Sequence, residues 1–434
     1  MAVLTWHTGI GTGLGALGLP MDGSSYAAIA LFVKAGSRCE ESGLEGVAHL
    51  VEHLIFRETR RLLAPGGELA RCGAWVSAHT ARDYVCYFGV TRPEHVATLL
   101  DGLATLVFAP TFAAEDLIAE KAVIFNEMTE TSTDAMARAV EAVWRRISGR
   151  SLSPIGSAAD LQRATVDAVR AFHRRWYTPA NAAVCVGGNF DWDEVLEWAE
   201  RISLTSPSDP RPPTGYHPPC PAGLSGGAPG LSEPIAVAVV PGVPPGHPDF
   251  AAEAVVRQML TDRRLPFVQA LELGGVATSL LVAPQATAAW TGCFVIVGYD
   301  AELRGEVGPG IQAAFRALEG EGCPAGLLEG LEEQVAVAHL QLTASPLDRV
   351  LSLGEQFTLY GQVHDPHELA LAVEQLRTAD VAAYLARAPF PHRRFMSSPR
   401  EPAAEVGPSA CGSFLVGLKI RCGQGVPWHR PHHP

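Results

Sequence analysis

No run of apolar residues reaches the ~18 needed to cross a bilayer as a helix. The opening "MAVLTWHTGIGTGLGALGLP" has no charged start, apolar centre and cleavage site of the secretory kind. Both absences lead to the expectation of a cytoplasmic protein without a membrane partner. Positive charge is also scarce: 33 Lys and Arg stand against 46 Asp and Glu, for a formal charge of −13. Nucleic acid and anionic lipid would both repel such a chain, so no nucleic-acid partner is expected. The arginine pairs Arg60 and Arg61, Arg145 and Arg146, and Arg174 and Arg175 read as solvated helix faces. The nine cysteines are odd in number and never spaced C-x-x-C, which argues against a disulfide framework or a zinc knuckle.

What is present is apolar surface to bury. The chain is 47% hydrophobic and 18% charged, the composition of a well-packed globular protein. Its 434 residues exceed what one core usually organises, so two domains are expected. The run "SYAAIALFVKAGS" reads as a buried strand, and "VSAHTARDYVCYFGV" as a second. From Glu115 to about Gly149 apolar residues recur at helical spacing without a proline, as one long helix or two in series. "DLQRATVDAVRAFHRRWYTPANAAVCVGGNFDWDEVLEWAE" follows as helix, strand, helix, the order of an α+β domain. A Pro/Gly-rich linker occupies residues 204–234. Beyond it "EPIAVAVVPGVPPGHPDFAAEAVVRQML" repeats the strand, turn and helix of the opening. The expected organisation is a first domain at 1–203, the linker, a degenerate second copy at 235–400, and a tail of unknown role at 401–434.

The helix "GLEGVAHLVEHLIF" carries polar residues that an apolar helix should not hold. His49 and His53 are four apart and so share one face, with Glu52 beside them. Buried without a partner they would cost desolvation energy, and a divalent ion is the natural compensation. Zinc accepts imidazole and carboxylate in a tetrahedral shell, and a catalytic site supplies three protein ligands. In "EKAVIFNEMTE", Glu120 and Glu127 lie two turns apart on one helical face. Glu127 is the better third ligand, with Glu120 behind it orienting a histidine or the metal water, and Glu130 is a weaker competitor. Around Glu253 the second copy has Ala and Val where the first has histidines, so this chemistry belongs to the first domain.

These residues resemble the inverted-motif zinc peptidases of the insulinase and pitrilysin class (M16), especially the ~45 kDa subunits similar to mitochondrial processing peptidase. The resemblance runs through "LFVKAGSRCEESGLEGVAHLVEHLIF", "GAWVSAHTARDYVCYF", "EKAVIFNEM" and "PIGSAADLQRATVDAVRAFHRRWYTPANAAVCVGG". It implies an α+β fold of two homologous domains, each an antiparallel sheet with helices mainly on one face, forming half of a clam-like chamber. It also implies one zinc ion per chain on His49, His53 and Glu127, with Glu52 as the proton carrier in peptide hydrolysis. Peptide would add as a strand along Ser77, Ala78, His79 and Thr80. Ser77 departs from the asparagine the family usually has there.

A second departure concerns the electrophilic half of the site. Active members place an Arg and a Tyr from the second domain in a pattern like Leu-Arg-Glu-x-x-Gly-Leu-Ala-Tyr-Ser. The matching stretch "ALELGGVATSL" has Leu271 for the Arg and Thr278 for the Tyr. Because oxyanion stabilisation is often the largest catalytic contribution, the chain alone should be a poor enzyme. A heterodimer in which a homologous subunit supplies the missing pair is the favoured expectation. The alternatives are a weakly active or non-catalytic peptide-binding subunit, and a metal-dependent hydrolase of some other substrate.

Overall fold

The computed structural model describes residues 5–7, 13–64, 67–131, 134–204, 223–225, 234–288, 290–388 and 390. The tail at 401–434 lies outside them, as does the linker at 204–234 except for Leu204, a short strand and Pro234.

The first sheet has six strands in the order β1 (Thr5–His7), β2 (Gly15–Pro20), β6 (Ala182–Gly188), β3 (Ala27–Val33), β5 (Val85–Thr91) and β4 (Trp75–Thr80). Its pairings are antiparallel apart from one: β2 and β6 run parallel. The second sheet is antiparallel, in the order β7 (Gly223–Ser225), β8 (Ile235–Pro241), β10 (Trp290–Gly298) and β9 (Ser279–Thr287). The chain is thus an α+β protein of two domains, with helices layered against each sheet.

Every residue of β3 is buried, because both faces of its sheet are covered. Ile29, Leu31 and Val33 enter a core shared with the helices Val47–Leu62, Val96–Phe108 and Val166–Trp176. Ala28, Ala30 and Phe32 face the opposite way, onto Val350, Leu353 and Phe357 of the helix Pro346–Tyr360. That helix follows the second sheet in the chain yet covers the first. The exchange is mutual: Ala139, Val143 and Trp144 of the helix Ala135–Ser148 cover Val237, Val239, Phe294 and Ile296 of the second sheet.

The apolar stretch beginning at Glu115 is two helices, Ala114–Thr131 and Ala135–Ser148. "VSAHTARDYVCYFGV" is a hairpin of β4 and β5 rather than one strand. The Ala81 amide donates to the Tyr84 carbonyl at 2.8 Å, leaving Arg82 and Asp83 at the tip. This turn has no Gly or Asn to announce it. Partners elsewhere hold its charges instead: Arg82 pairs with Glu141 and Asp83 with Arg38.

Candidate metal centre

The helix Val47–Leu62 is fixed at its start before any metal is considered. The Glu40 carboxylate accepts from the amides of Gly46 and Ala48, both at 2.9 Å, satisfying donors that a helix start leaves open. Gly46 sits at φ +101°, and a Cβ on its neighbour Gly156 would come within 2.4 Å of the Gly46 Cα. Both positions therefore require glycine. Leu50, Val51, Leu54 and Ile55 then bury against the first sheet. His49, Glu52 and His53 are left facing β4 and the helix Ala114–Thr131.

The two imidazoles present their Nε2 atoms to each other at 3.2 Å. Glu127 Oε2 lies 3.7 Å from the first and 3.5 Å from the second. A tetrahedral zinc site with bonds near 2.0–2.1 Å has ligand-to-ligand edges of about 3.3 Å, which these three separations approach. Among the described residues, this is the group of histidine and carboxylate atoms close enough to hold a metal together. Glu130 is exposed and outside it.

His53 Nδ1 lies 3.1 Å from Glu120 Oε2, so a proton on Nδ1 leaves the Nε2 lone pair turned toward His49 and Glu127. Glu120 is itself held by Arg57 at 2.9 Å, and Arg57 reaches Asp116 at 2.6 Å. Arg57 and Asp116 escaped the sequence reading. The available signal was the spacing of Asp116, Glu120 and Glu127, four and seven apart on one helix.

Electrostatics make the centre a place for a cation. Burial pushes the His49 imidazole down to about 3, and the charge of His53 adds to this. Burial also opposes charging of His53, but the carboxylates of Glu120, Glu127 and Glu52 override it and raise its pKa to about 10. Burial works against ionisation of Glu120 and Glu127 too; their contacts with His53, and Arg57 on Glu120, still hold both below the usual carboxyl range. Without a metal, a proton on His53 thus joins the Arg57 guanidinium as the positive charge among three carboxyl groups. Two facing imidazole nitrogens and a carboxylate oxygen are all lone-pair donors, which fits a divalent ion better than a hydrogen-bonded cluster.

Glu52 differs from the other two carboxyls. It is buried, which raises its pKa, and it accepts a hydrogen bond from Thr80 Oγ1 at 2.6 Å. Beside it a cavity of about 200 Å³ opens between the helices, with Glu52, His53 and Glu127 meeting Phe56 and Val123. Thr80 ends β4, where Ser77, Ala78 and His79 also lie, and β4 is the edge strand of its sheet. The second domain's Leu271 is only 1% exposed, in the core on the helix Pro266–Leu273. Thr278 is exposed, with its amide donating to the Gly298 carbonyl at 2.7 Å.

Two related α+β domains, with a His-x-x-Glu-His helix faced by a glutamate in one of them, define the architecture of an inverted-motif metallopeptidase. Residues 20–151 match the family described as insulinase (peptidase family M16), and residues 163–319 match the peptidase M16 inactive domain; the chain belongs to the M16 family. It is 32% identical over 182 residues to the uncharacterised zinc protease YmxG of Bacillus subtilis, covering 40% of this chain and 44% of that protein. It is 27% identical over 184 residues to the mitochondrial-processing peptidase subunit beta of Caenorhabditis elegans, covering 41% and 40%. The matched stretches thus span less than half the length of these relatives. A protease from Helicobacter pylori shares the fold at a TM-score of 0.73 with 17% identity, over 89% of this chain and 97% of that one. A peptidase M16 inactive domain from Pseudomonas fluorescens does so at 0.72 with 16% identity, over 89% and 95%.

Proposed function

We propose that the chain is a zinc-dependent endopeptidase subunit acting on extended peptide segments, with one metal ion held by His49, His53 and Glu127. The observation that carries this reading is the triangle of two Nε2 atoms and one carboxylate oxygen, with Glu52 next to it. Zinc, when bound, would acidify a water and polarise the scissile carbonyl. Glu52 takes the proton of the attacking water and passes it to the leaving amine. Its raised pKa suits both halves of that exchange, since a carboxyl moved toward neutrality accepts and returns a proton readily. Glu120 and Arg57 keep the His53 ring oriented.

Peptide lies along the free edge of β4. The Ala81–Tyr84 hydrogen bond sets the parity of the hairpin ladder, so the backbone groups of Val76, Ala78 and Thr80 point outward, away from β5. They are ready to pair with an incoming strand. The contact between Thr80 and Glu52 brings that edge to the proton carrier.

The subunit works with a homologous partner that supplies the missing Arg and Tyr. The burial of Leu271 favours this division of labour, and equally favours the second reading, a weakly active or non-catalytic peptide-binding subunit. Zinc content and peptidase activity, measured with and without a homologous M16 subunit, separate the two. Zinc near one per chain with activity in the mixture supports the first. Bound peptide without cleavage in any mixture supports the second, and absence of zinc overturns the metal assignment.

A further inference from the structure

The face of β4 turned away from Glu52 has its own chemistry. Val76 and Ala78 pack toward the catalytic helix, so alternation sends Trp75, Ser77 and His79 to the other side. The β5 residues opposite them are Val90, Phe88 and Cys86, which join the second core beneath. None of these six side chains carries a fixed charge, and burial pushes His79 down to about 4, which keeps it neutral.

Two aromatic rings lean on Phe88 from either side of Ser77. Trp75 meets it edge-on at 5.7 Å and His79 at 6.0 Å, while Ser77 is directly paired with Phe88 across the ladder. The indole is 50% exposed, a large apolar surface on the edge strand whose Thr80 contacts the proton carrier. Ser77 is half-buried and the smallest of the three side chains, so it is the low point of this face, a notch between the two rings.

Strand parity says which substrate residue meets that gap. Ala78 points its backbone groups outward, so an antiparallel peptide would form a hydrogen-bonded pair with it. The peptide residue opposite Ser77 is then in a non-hydrogen-bonded pair, where Cα atoms approach to about 4.5 Å and side chains are closest. Its side chain shares the face of Trp75, Ser77 and His79, and the two rings stand at the diagonal positions.

Building on the peptidase reading, we propose that Trp75 and Ser77 are specificity-determining residues: the notch selects a large apolar or aromatic side chain at the peptide position opposite Ser77. The substrate class is an extended segment with apolar residues on alternate positions, rather than a uniformly polar or cationic one. The small residue at 77 makes room for the side chain, and Trp75 supplies the surface it covers.

The test is equilibrium binding of fluorescein-labelled twelve-residue peptides to the full chain, read by fluorescence anisotropy. One peptide carries Phe at every second position with Ser between, and the other has Ala in place of each Phe. The wild type should bind the Phe peptide about tenfold more tightly than the Ala peptide. Trp75→Ala should shrink that ratio to within about twofold by removing the surface. Ser77→Leu should do the same by filling the gap. A ratio kept by either variant overturns the notch. Equal binding of both peptides by the wild type also overturns it while leaving the peptide-binding reading intact; binding of neither overturns both.

Discussion

The two domains bury a glutamate at corresponding places and neutralise it in opposite ways. In the second domain Glu253 lies on the helix Phe250–Met259, one turn before Arg257, and the two form an ion pair at 3.2 Å. In the first domain the position one turn after Glu52 is Phe56, and the nearby Arg57 is committed to Glu120 and Asp116. Glu52, Glu127 and two imidazoles are left with no arginine or lysine, so that without a metal only a proton on His53 offsets the carboxylates. One copy of the fold closes its charge balance internally, while the other leaves it open to a metal. A retained glutamate is therefore no sign of retained chemistry; where the neighbouring cation goes decides it.

The sharpest way to break this contrast is Glu52→Gln. The variant should keep its zinc, because Glu52 is not among the three ligands, and should lose hydrolysis by at least about a thousandfold. Metal analysis beside a peptidase assay checks both halves. Wild-type cleavage by the variant would remove Glu52 from its role.

Next in size is Leu271→Arg, which restores the residue type that active relatives place at this point of the pattern. Leu271 is buried against the second domain's own core, so an arginine there brings an unpaired charge into apolar surroundings. Destabilisation by more than about 3 kcal/mol is expected, without any gain in peptidase activity. Thermal unfolding reads the first and a peptide assay the second. An active, stable variant would mean that the catalytic halves need not come from separate chains.

Glu120→Gln should act through His53. An amide still reaches Nδ1 but no longer carries the charge that makes the ring a better ligand, so zinc affinity should fall about 10- to 100-fold. Chelator competition measures this directly. Unchanged affinity would show that Arg57 and Asp116 alone hold the arrangement.

How much of this was legible before the structure differs by feature. His49, Glu52, His53 and Glu127 stand out because helical spacing is a rigid rule and their neighbours are apolar. The repeat of strand and helix across the linker is legible for the same reason. The tip at Arg82 and Asp83 was not, because its turn is held by Glu141 and Arg38, far off in sequence, rather than by local turn residues. The exchange of covering helices was equally hidden: an amphipathic helix announces that it buries a face, not which sheet it buries against. Leu271 could be read as a replaced arginine, but only packing says that its side chain turns inward.

The smallest expected effect is Glu253→Gln, which tests the closed copy. Burial holds the Glu253 carboxyl above its ordinary range, with Arg257 opposing. A carboxyl whose pKa is raised on folding stabilises the fold while protonated and loses that contribution as pH rises from the unfolded value toward the folded one. A glutamine does not titrate, and Arg257, whose side chain is 21% exposed, can hydrate when its ion pair is gone. The net change at neutral pH should stay within about 1 kcal/mol. The variant should gain on the wild type as the pH is raised from 5 to 8. Zinc content and peptide cleavage should not move. A fall in either would show that the second domain's glutamate acts on the first domain's centre, and that the charge balance of the two copies is shared rather than separate.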